Sequence, residues 1–99
     1  MKYIYRVENN KKEGCYYNGA MVKNKLQHHD NSIHPHSLWD IGIERYAEND
    51  ERFGFLNLEQ VMVWFTGKEL MRLKENGYQL KRMKVNKITA IGKFQILFI

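Results

Sequence analysis

The side chains best suited to chemistry fall in a few places. Four histidines and an aspartate crowd around the only proline: His28, His29, Asp30, His34 and His36 flank Pro35. The His34-x-His36 spacing puts two imidazoles on one side of an extended chain, where His28 or Asp30 could complete a zinc or nickel site. No cysteine neighbours them and no HExxH spacing occurs. The expectation is therefore a polar loop without a bound metal, whose histidines can touch phosphate when protonated. Arg6 stands inside an alternating aromatic and β-branched run, Tyr3-Ile4-Tyr5-Arg6-Val7-Glu8. An unpaired charge buried mid-strand is costly, so Arg6 either faces water, paired with an acid such as Glu8, or lines a cleft. Trp39, Phe53, Phe55 and Trp64 read as core, with the alternative that one or two of them stack on a base or nicotinamide ring beside Arg6. Cys15 is the single cysteine. It excludes an internal disulfide and a multi-cysteine zinc centre, and its local sequence marks it as packing rather than as a nucleophile. The carboxylates fall in turns and helix caps, and the seven glycines are too scattered for a phosphate loop.

These residues need elements to position them. Residues 3–8 alternate with period two, so Tyr3, Tyr5 and Val7 share one strand face, and Ile4, Arg6 and Glu8 the other. Asn9 to Gly14 is a polar turn, and Cys15-Tyr16-Tyr17 reads as a short strand ended by Asn18-Gly19. Ser37 with Asp40 suggests a capping box opening a short helix through Leu38, Trp39, Ile41 and Ile43, which Gly42 weakens. Glu48 to Arg52 reads as a charged loop, and Phe53-Gly54-Phe55 as a short buried strand. Asn57 with Gln60, then Thr66 with Glu69, predict two helices, about 58–65 and 67–75, the second stopped by Gly77. Tyr78 and Leu80 are out of phase with Met83 and Val85, which predicts a strand with a bulge near Lys81-Arg82. Ile88 to Ile91 is a further strand, Gly92-Lys93 a tight turn, and Phe94 to Ile99 a final strand. That last strand is apolar except for Gln95 and so belongs in mid-sheet. The fold class expected is α+β: a small, mostly antiparallel sheet with the 57–76 helix pair packed on it.

Length and charge narrow the partners. The chain has 99 residues, 43% of them hydrophobic, enough for one domain with a packed core and too few for two. No apolar run could span a bilayer, and no signal peptide opens the sequence, so no membrane role is expected and the host cytoplasm is the expected location. The net charge is +5. Residues 1–65 sum to −1 and residues 66–99 to +6. That asymmetry favours an anionic partner contacted through Lys81, Arg82, Lys84 and Lys87, or it is a solvated surface. No recognised DNA- or RNA-binding motif accompanies it, although a plain basic nucleic-acid-binding module remains an alternative.

The order of motifs carries a resemblance. The Tyr5-Arg6-Val7-Glu8 opening strand, Gly14-Cys15-Tyr16, the His34-Pro35 segment with Trp39-Asp40, Phe53-Gly54-Phe55, Glu59-Gln60 with Trp64-Phe65, and Gly92-Lys93-Phe94-Gln95 follow in sequence. This pattern resembles a family of small proteins encoded by bacteriophages and prophages. It is also similar to a minimal ADP-ribosyltransferase-like fold. That second resemblance implies that Arg6 contacts a dinucleotide, that Phe53 and Phe55 lie near the nicotinamide, and that Gln95 occupies the place of the catalytic glutamate. Glutamine can neither act as a base nor carry the charge that stabilises an oxocarbenium-like transition state. The reading is therefore a phage accessory protein that binds rather than catalyses, with no cofactor, and counters bacterial defence. It would sequester a nucleotide signal through Arg6, His34, His36, Phe53, Phe55 and Gln95, or block a host defence protein such as a CRISPR effector. The alternative is an active ADP-ribosyltransferase-like enzyme using another acid, such as Glu8.

Overall fold

The computed structural model describes residues 2–16 and 35–99. Its strands are β1 (Lys2–Glu8), β2 (Arg52–Gly54), β3 (Gln79–Val85), β4 (Ile88–Ile91) and β5 (Ile96–Phe98), and its helices α1 (Leu58–Trp64) and α2 (Gly67–Glu75). This is a small α+β fold of two antiparallel sheets. β1 pairs with β3 along its whole length, from Lys2 opposite Val85 to Glu8 opposite Gln79. β5 lies between β2 and β4, the mid-sheet place that its apolar run requires, because both of its faces are covered.

One residue beyond β2 joins the sheets. The Tyr5 N–H donates to the Phe55 carbonyl at 2.8 Å, and the Phe55 N–H returns to the Tyr5 carbonyl at 2.7 Å. The hydrogen-bonded order is thus β3-β1-β2-β5-β4. Its two outermost strands are linked by only Asn86 and Lys87, whose N–H groups both donate to the Ile99 carbonyl. A sheet whose ends are consecutive in the chain has to curl, in the sense that strand twist favours. Ile4, Ile96 and Phe98 fill the inside of the curl, with Met83, Val85 and Ile88 against them. Val7, Phe55, Val61, Trp64, Phe65 and Leu73 form a second cluster between sheet and helices. β1 feeds both clusters, Ile4 into one and Val7 into the other, while Tyr3 near its start stays exposed.

The helix pair forms where local chemistry dictates. The Asn57 side chain accepts from the Gln60 N–H, and Thr66 with Glu69 makes a complete reciprocal capping box. α2 stops in a Schellman arrangement: the Gly77 N–H donates to the Lys74 carbonyl, the Tyr78 N–H to the Leu73 carbonyl, and Gly77 has φ +89°. Thr66→Ala is expected to remove about 1 kcal/mol of stability through cap loss, readable as a lower urea midpoint with unchanged slope.

Several expectations are corrected. β3 has no bulge near Lys81-Arg82: its register is continuous. The phase conflict disappears because Tyr78 lies before the strand, at the helix stop, and Leu80 stays partly exposed. The register shift lies in β4, between Ile88 and Ala90. Ser37 and Asp40 do not form a capping box. The helix there is one 3₁₀ turn, Ser37–Trp39, and His36 Nδ1 caps it by accepting the Leu38 N–H. Ser37 and Asp40, three residues apart, are both buried. Trp39 therefore points outward and is 74% exposed rather than core. Cys15 and Tyr16 form a turn after a Glu8–Gly14 bridge, not a strand. The final strand begins at Ile96, leaving Gln95 in the turn before it. Tyr17, the Asn18-Gly19 turn, His28, His29, Asp30 and His34 lie outside the described residues.

Candidate ligand cleft

A cleft of about 380 Å³ opens where the two sheets, α1 and the 3₁₀ turn meet. Among the described residues it is walled by Phe53 in β2 and Phe55 just after it, Trp64 and Phe65 at the end of α1, and Val7 on β1, all apolar. The aromatics set one another edge to face. Phe55 lies 5.8 Å from the Trp64 ring centre and 6.0 Å from that of Phe65. Phe53 differs from them: at 37% exposed it is a wall that a ligand could cover. The polar groups at the rim are Arg6, Tyr16, His36, Ser37 and Gln95. A mostly apolar hollow with a few converging polar groups is the usual form of a small-molecule site.

Of the residues singled out from the sequence, Arg6, His36, Phe53, Phe55 and Gln95 all line this cleft. His34 lies outside the described residues. Each arrives by a different route. Arg6 shares the buried face of β1 with Ile4 and Glu8, as the period-two pattern requires. Its Nε donates to Glu8 Oε2 at 3.2 Å and its Nη1 to the Phe53 carbonyl. Lys81 Nζ approaches the other Glu8 oxygen at 3.7 Å. Burial lowers the Arg6 pKa and the Glu8 carboxylate opposes that, which leaves a cation committed to an internal pair. Gln95 is held twice: its side chain donates to the Pro35 carbonyl at 3.2 Å, and its main-chain N–H to Asp40 Oδ2 at 3.1 Å. Asp40 also accepts from the Phe94 N–H, while burial raises its pKa against these bonds. His36 is fixed by its capping bond and by an edge-on contact with Tyr46, ring centres 5.5 Å apart.

A match to known proteins gives this chain its family. The family model described as the Bacteriophage T4 Y00F protein matches residues 1–99. The chain belongs to the Y00F family. No curated protein and no solved structure matches it. Bacteriophage kinship therefore stands, whereas these comparisons bring no ADP-ribosyltransferase to it.

Two further features of this Y00F-family chain bear on the site. Trp64 and Tyr16, which the sequence did not single out as a pair, close one end of the cleft: the indole N–H donates to the Tyr16 hydroxyl at 2.8 Å. Burial pushes the Cys15 thiol up to about 12, so it is a neutral packing group, not a nucleophile. Cys15 is expected to resist iodoacetamide at pH 8 in the folded protein and to react fully in urea, with the adduct counted by mass spectrometry. The four expected basic contacts do not form one patch. Lys81 shares Arg6's face of the β1–β3 ribbon, whereas Arg82 and Lys84 lie on the other face, 4.0 and 5.8 Å from the Tyr3 ring centre. Lys87 sits in the link after β3. Strand alternation separates neighbours that the linear sequence groups together. Among the described residues no group of three His, Cys, Asp or Glu side chains is placed to hold a metal ion, and no helix is long and apolar enough to cross a membrane.

Proposed function

We propose that this Y00F-family chain is a phage accessory protein that binds a nucleotide without turning it over, holding a host signal away from its receptor. The observation that carries the reading is the cleft itself. Residues from β1, the β2 segment, the 3₁₀ turn and the β4–β5 turn converge on one aromatic-walled hollow of about 380 Å³. Phe53 offers a face for a base, worth about 1–3 kcal/mol if stacked. Gln95 and His36 offer polar atoms for its edge. The same geometry favours binding over catalysis. Gln95 has no ionisable group, and Glu8, the acid an ADP-ribosyltransferase would need here, is 4% exposed and engaged by Arg6 and Lys81.

Calorimetric titration with a panel of nucleosides and of linear and cyclic nucleotides tests this. Micromolar binding that weakens about tenfold in Phe53→Ala is expected. No binding across the panel overturns it. Transfer of label from radioactive NAD, abolished by Glu8→Gln, would replace it with the enzyme reading.

One observation favours a protein target instead. Trp39, Ile41, Tyr46 and Ile91 are all more than half exposed. Ile41 and Ile91 are brought together by the Lys93 N–H bond to the Ile41 carbonyl and by the close approach of Gly42 to the Ile91 carbonyl. Exposed apolar groups gathered in this way mark interaction surfaces. A negative nucleotide panel would move the proposal to this face.

A further inference from the structure

A second groove, of about 370 Å³, is bordered by β3, β5 and Arg52 of β2. Two cations line it, Lys12 from the Asn9–Gly14 turn and Arg52 from β2; Lys84 of β3 borders it, but its ammonium lies 5.8 Å from the Tyr3 ring centre on the other face of the ribbon. Among the described residues neither Lys12 nor Arg52 has a carboxylate within ion-pair distance, in contrast to Arg6, Arg45 and Lys81. Among the described residues, Asp50 is the one acidic side chain lining the groove. The Ile99 carbonyl at its edge already accepts from the Asn86 and Lys87 N–H groups. Cations that converge on a concave surface without partners raise the local concentration of anions, and they bind phosphate oxygens through charge-assisted bonds.

Arg6 links the cleft to the groove. The Arg6 guanidinium bonds the Phe53 carbonyl next to Arg52, and lies 5.9 Å from the ring centre of Phe98, which lines the groove. The positive charge of Arg52 is close enough to help lower the Arg6 pKa. One buried side chain and the strand carrying Arg52 and Phe53 therefore separate an aromatic hollow from a cationic one. We infer that the groove is the phosphate subsite of the proposed nucleotide site: the ring enters the cleft beside Phe53, and the phosphates reach over Arg6 to Lys12 and Arg52. The ligand class is a free nucleotide with two or more phosphates.

This rests on the cleft reading, and the test separates the two. The full chain is titrated with adenosine, guanosine, their 5′-mono-, di- and triphosphates, and inorganic tripolyphosphate, at low and high salt. Lys12→Asn suits the left-handed backbone at Lys12, φ 64°. It is combined with Arg52→Gln, a change at an exposed side chain. Wild type should bind triphosphates at least tenfold more tightly than nucleosides, with a gain that shrinks in salt. The double variant should lose that gain and keep nucleoside affinity, and Asp50→Asn should enlarge it. Equal binding of nucleoside and triphosphate overturns the groove and leaves the cleft standing. Tripolyphosphate binding lost in the double variant, without nucleoside binding, supports the groove and overturns the cleft. A single-stranded oligonucleotide bound more tightly than any triphosphate overturns the assignment to a free nucleotide.

Discussion

Replacing Arg6 with methionine is expected to destabilise the fold by about 3 kcal/mol or more, although arginine is a surface-type side chain. Its side chain is 11% exposed and that of Glu8 only 4%. Bringing two such charges out of water is unfavourable, and their contact at 3.2 Å, with Lys81 at 3.7 Å, offsets the loss. Removing one partner leaves the other ionised and buried, which typically costs about 3–5 kcal/mol. The bond from Nη1 to the Phe53 carbonyl goes as well. Replacing both partners, Arg6→Met with Glu8→Leu, should restore most of the stability, because well-packed apolar groups substitute for a buried pair at little net cost. Urea unfolding of the wild type, both single variants and the double variant gives the coupling energy directly. A loss below about 1 kcal/mol in Arg6→Met would show instead that the pair is solvated. Ligand binding is tested at Phe53 and Arg52 for the same reason: their replacement leaves no buried charge behind.

The parts of the fold legible in the sequence are those that local chemistry decides. Asn57, Thr66 and Gly77 fix the ends of α1 and α2 through hydrogen bonds spanning three to five residues. β5 is central because an apolar run needs cover on both faces. Period two placed Arg6 with Ile4 and Glu8, and so on the buried face that reaches the cleft. What was not legible depends on contacts across the chain. Ser37 and Asp40 have the spacing of a capping box, yet Asp40 turns to N–H groups more than fifty positions away, and no local pattern encodes that. Lys12 and Arg52 each read as an ordinary charge in a polar stretch. Only the fold of the chain puts them on one groove. Strand alternation sets Lys81 on a different face from Arg82, which a count of basic residues cannot show.

Among the described glycines, Gly42→Ala should be the most damaging substitution by a single methyl group, lowering the melting temperature by more than about 10 °C. Two independent effects add. Gly42 has φ +103°, a conformation that costs an L-residue about 1–2 kcal/mol. A Cβ there would also lie 2.2 Å from the Ile91 carbonyl oxygen and 3.3 Å from the Gly92 Cα, both main-chain atoms. Neither can retreat easily. The Lys93 N–H is bonded to the Ile41 carbonyl at 2.9 Å, and the Asp40 carboxylate holds the N–H groups of Phe94 and Gln95. Overpacking of this kind adds about 1–3 kcal/mol, and each kcal/mol is worth roughly 4–8 °C in a domain this small. Gly77 supplies the control. Its φ is +89°, but nothing lies within 4 Å of the place its methyl group would take, so Gly77→Ala should show the conformational cost alone. The difference between the two variants is the steric part. Equal melting temperatures would mean that the 40–43 segment is free to move off the β4–β5 turn. That outcome would reach the cleft as well, because the clamp that crowds Gly42 also sets Gln95 against the Pro35 carbonyl. If the clamp is as tight as the geometry requires, Gly42→Ala protein kept folded at low temperature should bind nucleotide more weakly than Gly77→Ala protein of matched concentration.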